Sequence, residues 1–598
     1  MTTYTAPLAD MRFVLNHVAG LDEVARLPGC ADASPELVDQ ILEEAGKFGR
    51  DVLAPLNRAG DKHGCQFENG VVRTPPGFKE AYARFVEGGW NSVPFDPEYG
   101  GQGLPWLVST AISEIWNGAN MAFGLCPLLT QGTVELLLAH GSPEQKTRYL
   151  PKLVSGAWNG TMNLTEPQAG SDLARVRTKA VRDGDHYRIT GQKIFITYGE
   201  HDLTENIIHM VLARTPDAPT GIKGISLFIV PKFLVKNGGA LGSHNDLRCV
   251  SIEHKLGIHA SPTAVMSYGD NGGAVGYLVG EENRGIEYMF TMMNNARLAV
   301  GLEGVAIAER AYQQAFAFAR ERVQGRAIGS DDPNPVPIIR HPDVKRMLLS
   351  MRAQTEAVRA LAYFAAACLD IAKRHPDLGA RREHQALVDF LIPVVKAWST
   401  DVGIEVANTG IQVHGGMGYV EETGAAQHLR DARIAAIYEG TNGIQANDLV
   451  GRKVGRERGA TALAFIARVH ALDNELAAAD PRGDLAAIRA RLAAATHALA
   501  DSTAWVAETY AADPAAVAAG AVPYLRLTGL VAGGWLMARS ALTATTLLAR
   551  GNDDTAFLKG KIVCARFFAD QLLVQAPGLA ETVRHGADTV LHMTEERP

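Results

Sequence analysis

The stretch Ala435-Ala436-Ile437-Tyr438-Glu439-Gly440-Thr441-Asn442-Gly443-Ile444-Gln445 interrupts an apolar segment with a single acid set between a tyrosine and a glycine. A carboxylate bracketed by apolar residues loses hydration. Its pKa is then expected to rise, which suits Glu439 to act as a base toward a weakly acidic C–H bond. Gly440 lacks a side chain, so the backbone can turn sharply and leave the Glu439 amide and carboxylate to face a ligand. The plainer alternative is a helix C-terminus capped by Gly440, with Glu439 an ordinary exposed acid.

Outward from this stretch, composition sets limits. A chain of 598 residues, 47% hydrophobic, is long enough for about three or four domains with their own cores. A net charge of -7 gives no electrostatic reason to expect nucleic acid or an anionic membrane as partner. Cys30, Cys65, Cys126, Cys249, Cys368 and Cys564 are scattered without a C-x-x-C pair. This argues against a disulfide framework or a zinc site and for a reducing interior. Met1 to Asp10 carries neither the basic start nor the apolar run of a secretory signal, so a cytoplasmic protein is expected. The most apolar long stretch, Leu525 to Leu548, contains Arg526, Arg539 and paired glycines; it is expected to be a buried helix, and no membrane span is predicted. No G-x-G-x-x-G or Walker stretch stands in a strand-to-helix context, against a Rossmann nicotinamide site.

The texture of the chain changes three times. Residues 1–159 read as helical, with Ser34-Pro35-Glu36-Leu37 as a helix start. A helix near Leu107 to Gly118, an apolar run Met121 to Leu129 and a second helix from Thr133 to His140 follow. Residues 160–283 carry short β-rich runs at His186–Gly191, Ile207–Leu212, Ile225–Val230 and Ala264–Tyr268, suggesting a small barrel or sandwich. Residues 284–455 return to helical spacing over Ile286–Arg322, Val344–Leu369, His384–Gly410 and Ala425–Ile437, an antiparallel bundle. Residues 456–598 are alanine- and leucine-rich, punctuated by Pro481, Asp513-Pro514 and Gly551-Asn552, and read as a further helical domain. The predicted fold class is mainly α with a central β domain.

Four further blocks accompany the Glu439 stretch: Asn163-Leu164-Thr165-Glu166-Pro167-Gln168-Ala169-Gly170-Ser171-Asp172, Lys193-Ile194-Phe195-Ile196-Thr197, Ile411-Gln412-Val413-His414-Gly415-Gly416-Met417-Gly418-Tyr419 and Arg430-Asp431-Ala432-Arg433. In this order and at these separations the chain resembles the acyl-CoA dehydrogenase family of flavoproteins from about Met11 to Arg452. It is most similar to that family's long subgroup, which includes 3-methylthiopropanoyl-CoA and broad-range bacterial acyl-CoA dehydrogenases. The resemblance implies a C-terminal four-helix domain and noncovalent FAD. Met162, Leu164, Thr165, Gly170 and Ser171 would hold the polar edge of the ring, with Phe195, Ile196 and Thr197 against its face. Arg322 and Gln324 would lie near the pyrophosphate and adenine, although Val323-Gln324-Gly325-Arg326 and the longer stretch before His341 depart from the usual pattern. Gln412, Gly415 and Gly416 would reach the FAD of a partner subunit, implying a homodimer or dimer of dimers, and Thr441 and Asn442 complete the set.

The same resemblance implies the reaction, α,β-dehydrogenation of an acyl-CoA thioester. Glu439 takes the α-proton and a β-hydride goes to the flavin, with electron-transferring flavoprotein as acceptor. The Glu439 backbone N–H and a ribityl hydroxyl would stabilise the thioester oxygen as it gains charge. Substrate contacts fall on Phe123, Ser171, Arg297 and Gly440, and Glu166 and Glu421 are the next acids to consider as base. No metal is implied. The run Met121-Ala122-Phe123-Gly124-Leu125-Cys126-Pro127 has no charge to pair with a carboxylated acyl tail. Phe123 could shorten the pocket, favouring short or medium chains or 3-methylthiopropanoyl-CoA. A long-chain enzyme requires Phe123 to turn aside, which Gly124 would permit. An acyl-CoA oxidase and a non-catalytic scaffold or DNA-binding relative are the alternatives.

Overall fold

A computed structural model describes residues 4–236, 238–480 and 482–594; Met1 to Thr3 and the punctuating Pro481 lie outside the described residues. The chain divides into two compact units, each drawn from separate stretches: Met1–Glu44, Pro105–Glu114 and Val300–Pro598 make one, Ala45–Leu104 and Ile115–Ala299 the other. The fold is mainly helical with a central β domain, as the texture predicts, and that domain is built on one eight-stranded mixed sheet.

The second unit contains that sheet. Its strands are Trp158–Asn163 (β1), Lys179–Asp183 (β2), His186–Thr197 (β3), Asn206–Ala213 (β4), Ser226–Pro231 (β5), Leu247–Ile252 (β6), Thr263–Tyr268 (β7) and Ala274–Leu278 (β8). The order is β6-β7-β3-β8-β5-β4-β1, with β2 also beside β3. β1 and β4 run parallel and the other pairs antiparallel. The near-continuous apolar runs of β4 and β5 are buried along their whole length, as strands covered on both faces must be. β2 is charged and mostly exposed, as suits a strand at an edge. β3 is the hub: its first half pairs with β2 and β8, its second half with β7. A hairpin, Gln66–Glu68 with Val71–Arg73, interrupts the stretch read as helical, because Asn69 and Gly70 both take positive φ (51° and 81°), the backbone of a tight two-residue turn.

The run Met121 to Leu129 does not stand apart from its neighbours. It belongs to one helix, Trp106–His140, broken only where Asn120 adopts φ -160°, ψ 93°. The side-chain oxygen of Asn120 accepts from Phe123 N (3.2 Å) and its amide donates to Leu53 O (3.3 Å), so this residue restarts the helix as an N-cap would. By length and composition this helix could cross a membrane, but 83% of its apolar window is buried in the protein.

In the first unit, helices Pro342–Arg374 and Leu378–His414 pair along their length, and the second half of Gly285–Glu321 joins them through Gly301, Gly304 and Glu309. At the start Leu37 N donates to Ser34 Oγ (3.2 Å), the capping that Ser34-Pro35 predicts. Helix Ala425–Ala432 ends five residues before the expected Ile437 and continues as a 3-10 turn, Arg433–Ala436. The C-terminal helices pack onto the bundle: methyl groups at Gly529 and Gly533 would fall 2.5 and 2.4 Å from the Trp398 indole, so the bare backbone of Ala521–Ala549 seats that ring.

Candidate active site

Glu439 sits on a strained turn. Between the 3-10 turn and helix Asn442–Asp448 both Glu439 (φ 57°) and Gly440 (φ 81°) are left-handed; the turn itself already ends at Ala436 with Ile437 as its cap, so Gly440 is not a helix cap. A non-glycine residue in this region costs on the order of 1 kcal/mol or more, and several groups hold it there. Thr441 caps the following helix, its hydroxyl accepting from Ile444 N at 3.2 Å. Buried Lys396 donates to Gly440 O (2.8 Å) and to Asn442 Oδ1 (2.9 Å). Gln445 donates to the Glu439 and Gly440 carbonyls at 3.2 and 3.3 Å. A Cβ at Gly440 would meet that Gln445 amide at 2.7 Å.

The tyrosine before Glu439 is gripped as well. Tyr438 Oη donates to Glu303 Oε2 at 2.5 Å. Glu303 and Lys396 lie on helices that touch backbone to backbone. Added methyls at Gly301 and Gly304 would fall 2.7 Å from Val395 O and 2.2 Å from Ser399 O. Burial pushes the Glu303 carboxyl up to about 8, opposed by the Tyr438 hydrogen bond and the Lys396 charge and reinforced by the charge of Glu439. Neither Glu303 nor Lys396 was singled out from the sequence. Each is a lone charge in an apolar helical run, Val300-Gly301-Leu302-Glu303-Gly304-Val305 and Val394-Val395-Lys396-Ala397-Trp398. That isolation was the available signal.

Asn442 corrects an expectation. Its amide donates to Ala397 O (3.1 Å), Thr400 Oγ1 (3.0 Å) and Asp401 Oδ1 (2.7 Å) while its oxygen accepts from Lys396. The side chain ties the turn to the 378–414 helix, which leaves a flavin contact to its backbone.

The flavin-face residues separate in the second unit. Phe195 is 58% exposed with φ 60°, an aromatic ring displayed at the cost of backbone strain. Thr165, Thr197 and Met162 are half-buried, while Gly170 and Ser171 are exposed. Ile196 is a correction: its side chain is in the sheet core with Val211, Phe228 and Met266, so only its backbone can meet a ligand. Leu164 is also buried; its carbonyl accepts from Lys193 Nζ at 3.0 Å. Glu166 fails as an alternative base. Burial alone would raise its pKa, but Lys193 Nζ at 2.8 Å, the Thr178 hydroxyl at 2.6 Å and Arg177 N at 2.7 Å hold it near about 2. Glu421 is exposed and paired with Arg430 at 3.0 Å.

Phe123 is the third correction. It is fully buried against Phe78, Tyr82 and Phe85, with ring centroids 6.2, 6.2 and 5.7 Å away. An aromatic ring so enclosed neither trims a pocket nor turns aside. Gly124 is there because a Cβ would strike Asn117 Oδ1 at 2.4 Å. Arg297 is buried, donating to Asn294 Oδ1 (3.3 Å) and lying over Phe290. Arg322 and Gln324 are exposed and bonded to each other at 3.3 Å. The 323–337 stretch closes through a Val323–Pro337 bridge. Gln412, Gly415 and Gly416 are exposed where the 378–414 helix ends, Gly415 turning at φ 60°.

Comparison with known proteins accounts for this arrangement. Four family models match in succession: acyl-CoA dehydrogenase N-terminal domain over residues 35–157, middle domain over 161–270, C-terminal domain over 283–454, and acetyl-CoA dehydrogenase C-terminal like over 464–594. The chain is 51% identical to 3-methylmercaptopropionyl-CoA dehydrogenase of Ruegeria pomeroyi, over 98% of this chain and 99% of that one. It is 33% identical to the broad-specificity linear acyl-CoA dehydrogenase FadE5 of Mycobacterium tuberculosis over the full length of both. The FAD complex of an acyl-CoA dehydrogenase from Bacillus anthracis shares the fold, with a TM-score of 0.74 at 22% identity over 96% of this chain and 92% of that one. The chain belongs to the acyl-CoA dehydrogenase family of FAD-dependent oxidoreductases, which act on acyl-CoA thioesters.

Proposed function

We propose that Glu439 is the base that removes the α-proton in this acyl-CoA dehydrogenase, and that the preferred substrate is 3-methylthiopropanoyl-CoA or a short to medium straight-chain acyl-CoA. The observation that carries the base assignment is the left-handed Glu439, gripped at the flanking residues by Glu303 and Lys396. Strain is kept only where the surroundings over-determine it, and here they do so around one carboxylate. FAD bound noncovalently supplies the hydride acceptor. Exposed Phe195, with the Thr165, Thr197 and Ser171 hydroxyls, fits a planar apolar ring with a polar edge. Glu439 takes the proton while buried Lys396 keeps its carrier turn in place. The 51% identity to the Ruegeria enzyme supports the sulfur substrate, and the FadE5 likeness favours a broad linear range as the second reading.

Specificity constants for acyl-CoAs of rising length, with 3-methylthiopropanoyl-CoA beside pentanoyl-CoA, test this. A preference for the sulfur compound is expected, and values rising steadily through long chains would remove the short-chain reading. Acid precipitation should leave a colourless pellet; a yellow one would mean covalent flavin. Electron-transferring flavoprotein is the proposed acceptor, so dye reduction should far exceed peroxide formation. Met417 and Tyr419, 51% and 90% exposed beside Gly415-Gly416, support assembly as a homodimer or dimer of dimers. Six free cysteines, five of them buried, support a reducing, cytoplasmic setting.

A further inference from the structure

We propose that Glu303 is a positioning residue for the reaction: its carboxyl, by holding the Tyr438 hydroxyl, sets the left-handed turn that presents the Glu439 carboxylate. This rests on Glu439 being the base. Glu303 is buried in an apolar stretch of the 285–321 helix, and its second oxygen, Oε1, has no hydrogen-bond partner among the described residues. An acid so poorly satisfied is a poor device for packing alone, where a leucine would serve. Its one bonded oxygen goes to the residue next to Glu439. On the other side, Lys396 holds the Gly440 carbonyl. Anchors one residue before and one residue after leave Glu439 little backbone freedom. The glycines at 301 and 304 allow the close helix contact that brings both anchors to the turn. The charged and titratable groups facing Glu303 are Tyr438 and Glu439 from the turn and Lys396 from the 378–414 helix. With burial holding its proton to about pH 8, Glu303 adds no second negative charge beside the base at neutral pH.

The test uses the flavin-loaded enzyme in five forms: wild type, Tyr438→Phe, Glu303→Ala, Glu303→Gln and the Tyr438→Phe/Glu303→Ala double variant. The first two substitutions should each lower kcat about tenfold or more with little change in KM. The double variant should be no worse than the poorer single, because both act through one bond. Glu303→Gln keeps an acceptor and should recover most of the loss while erasing any ionisation near pH 8 from the kcat profile. A readout independent of turnover is amide hydrogen exchange, which should quicken across residues 436–446 in Tyr438→Phe and Glu303→Ala and stay unchanged in the 378–414 helix. Tyr438→Phe removes one oxygen atom, so it keeps the test open should Glu303→Ala misfold. Wild-type kcat and exchange in Tyr438→Phe, or additive losses in the double variant, would overturn the proposal. Glu439→Gln run alongside separates the two claims: if it is inactive while Tyr438→Phe is unaffected, only the positioning role falls. If it reduces flavin normally, the base assignment falls and the positioning role with it.

Discussion

Two buried acids near lysines, one in each unit, are treated in opposite ways. In the sheet unit Glu166 and Lys193 are in direct contact at 2.8 Å. Burial lowers the Lys193 pKa to about 8 against the pull of Glu166, and the carboxyl is held near about 2, so both are charged at neutral pH. In the helical unit Glu303 and Lys396 are each bonded elsewhere, to Tyr438 Oη and to the Gly440 carbonyl and Asn442, and the Glu303 carboxyl rises to about 8. Contact with Lys193, together with the Thr178 and Arg177 hydrogen bonds, keeps buried Glu166 ionised at neutral pH; Glu303, without a lysine in contact, stays neutral. The first arrangement fastens the Leu164 carbonyl beneath the sheet rim. The second surrounds Glu439, the proposed base.

The comparison can be broken most severely at the group the second arrangement serves. Glu439→Gln should keep FAD and fold yet slow flavin reduction by acyl-CoA by roughly 10³-fold or more, because an amide cannot accept the α-proton; stopped-flow bleaching measures it. Lys193→Met leaves Glu166 as an uncompensated buried charge, and urea unfolding should show a loss of about 3–5 kcal/mol.

A pH series sharpens the contrast. Glu303 has a raised pKa, so its contribution to stability is complete below the ordinary value of 4.5 and is lost as pH rises through about 8. Glu303→Gln should therefore gain stability over wild type progressively across that window, by on the order of 2 kcal/mol. Glu166 has a depressed pKa, so its contribution is present above 4.5 and is lost as pH falls toward about 2. Unfolding midpoints of wild type and Glu303→Gln from pH 4 to 9 read the first slope; parallel curves would show that Glu303 does not titrate there. The smallest effect is expected at Phe195→Gly. Relief of the left-handed backbone should raise stability by about 1 kcal/mol, while bound FAD, measured by absorbance after gel filtration, should fall.

Much of this was legible locally. The Ser34-Pro35 start and the strands around Ile207–Leu212 and Ile225–Val230 depend on neighbours a few residues away, and they lie where periodicity puts them. The failures share a cause. Ile196 and Asn442 belong to motif blocks and Phe123 to an apolar run, and neither kind of signal says which way a side chain points. Phe123 has Phe78, Tyr82 and Phe85 packed around it, Ile196 faces the sheet core, and Asn442 found four partners on or around one helix.

The amino-acid sequence by itself determined the family and the order of helical and β-rich segments, and it singled out the acid at 439 as the candidate base, because these are carried by short contiguous blocks and by periodicities of 2 and 3.6. Only the tertiary structure decided what surrounds that acid. Glu303 lies 135 residues from Tyr438, and Lys396 lies 44 residues from Gly440. The helices that bring them to the turn meet through glycines whose purpose is visible only when the opposing backbone is in place. The protonation of Glu303 is decided there too, since it depends on burial and on which neighbours carry charge, quantities that exist only once the helices have packed.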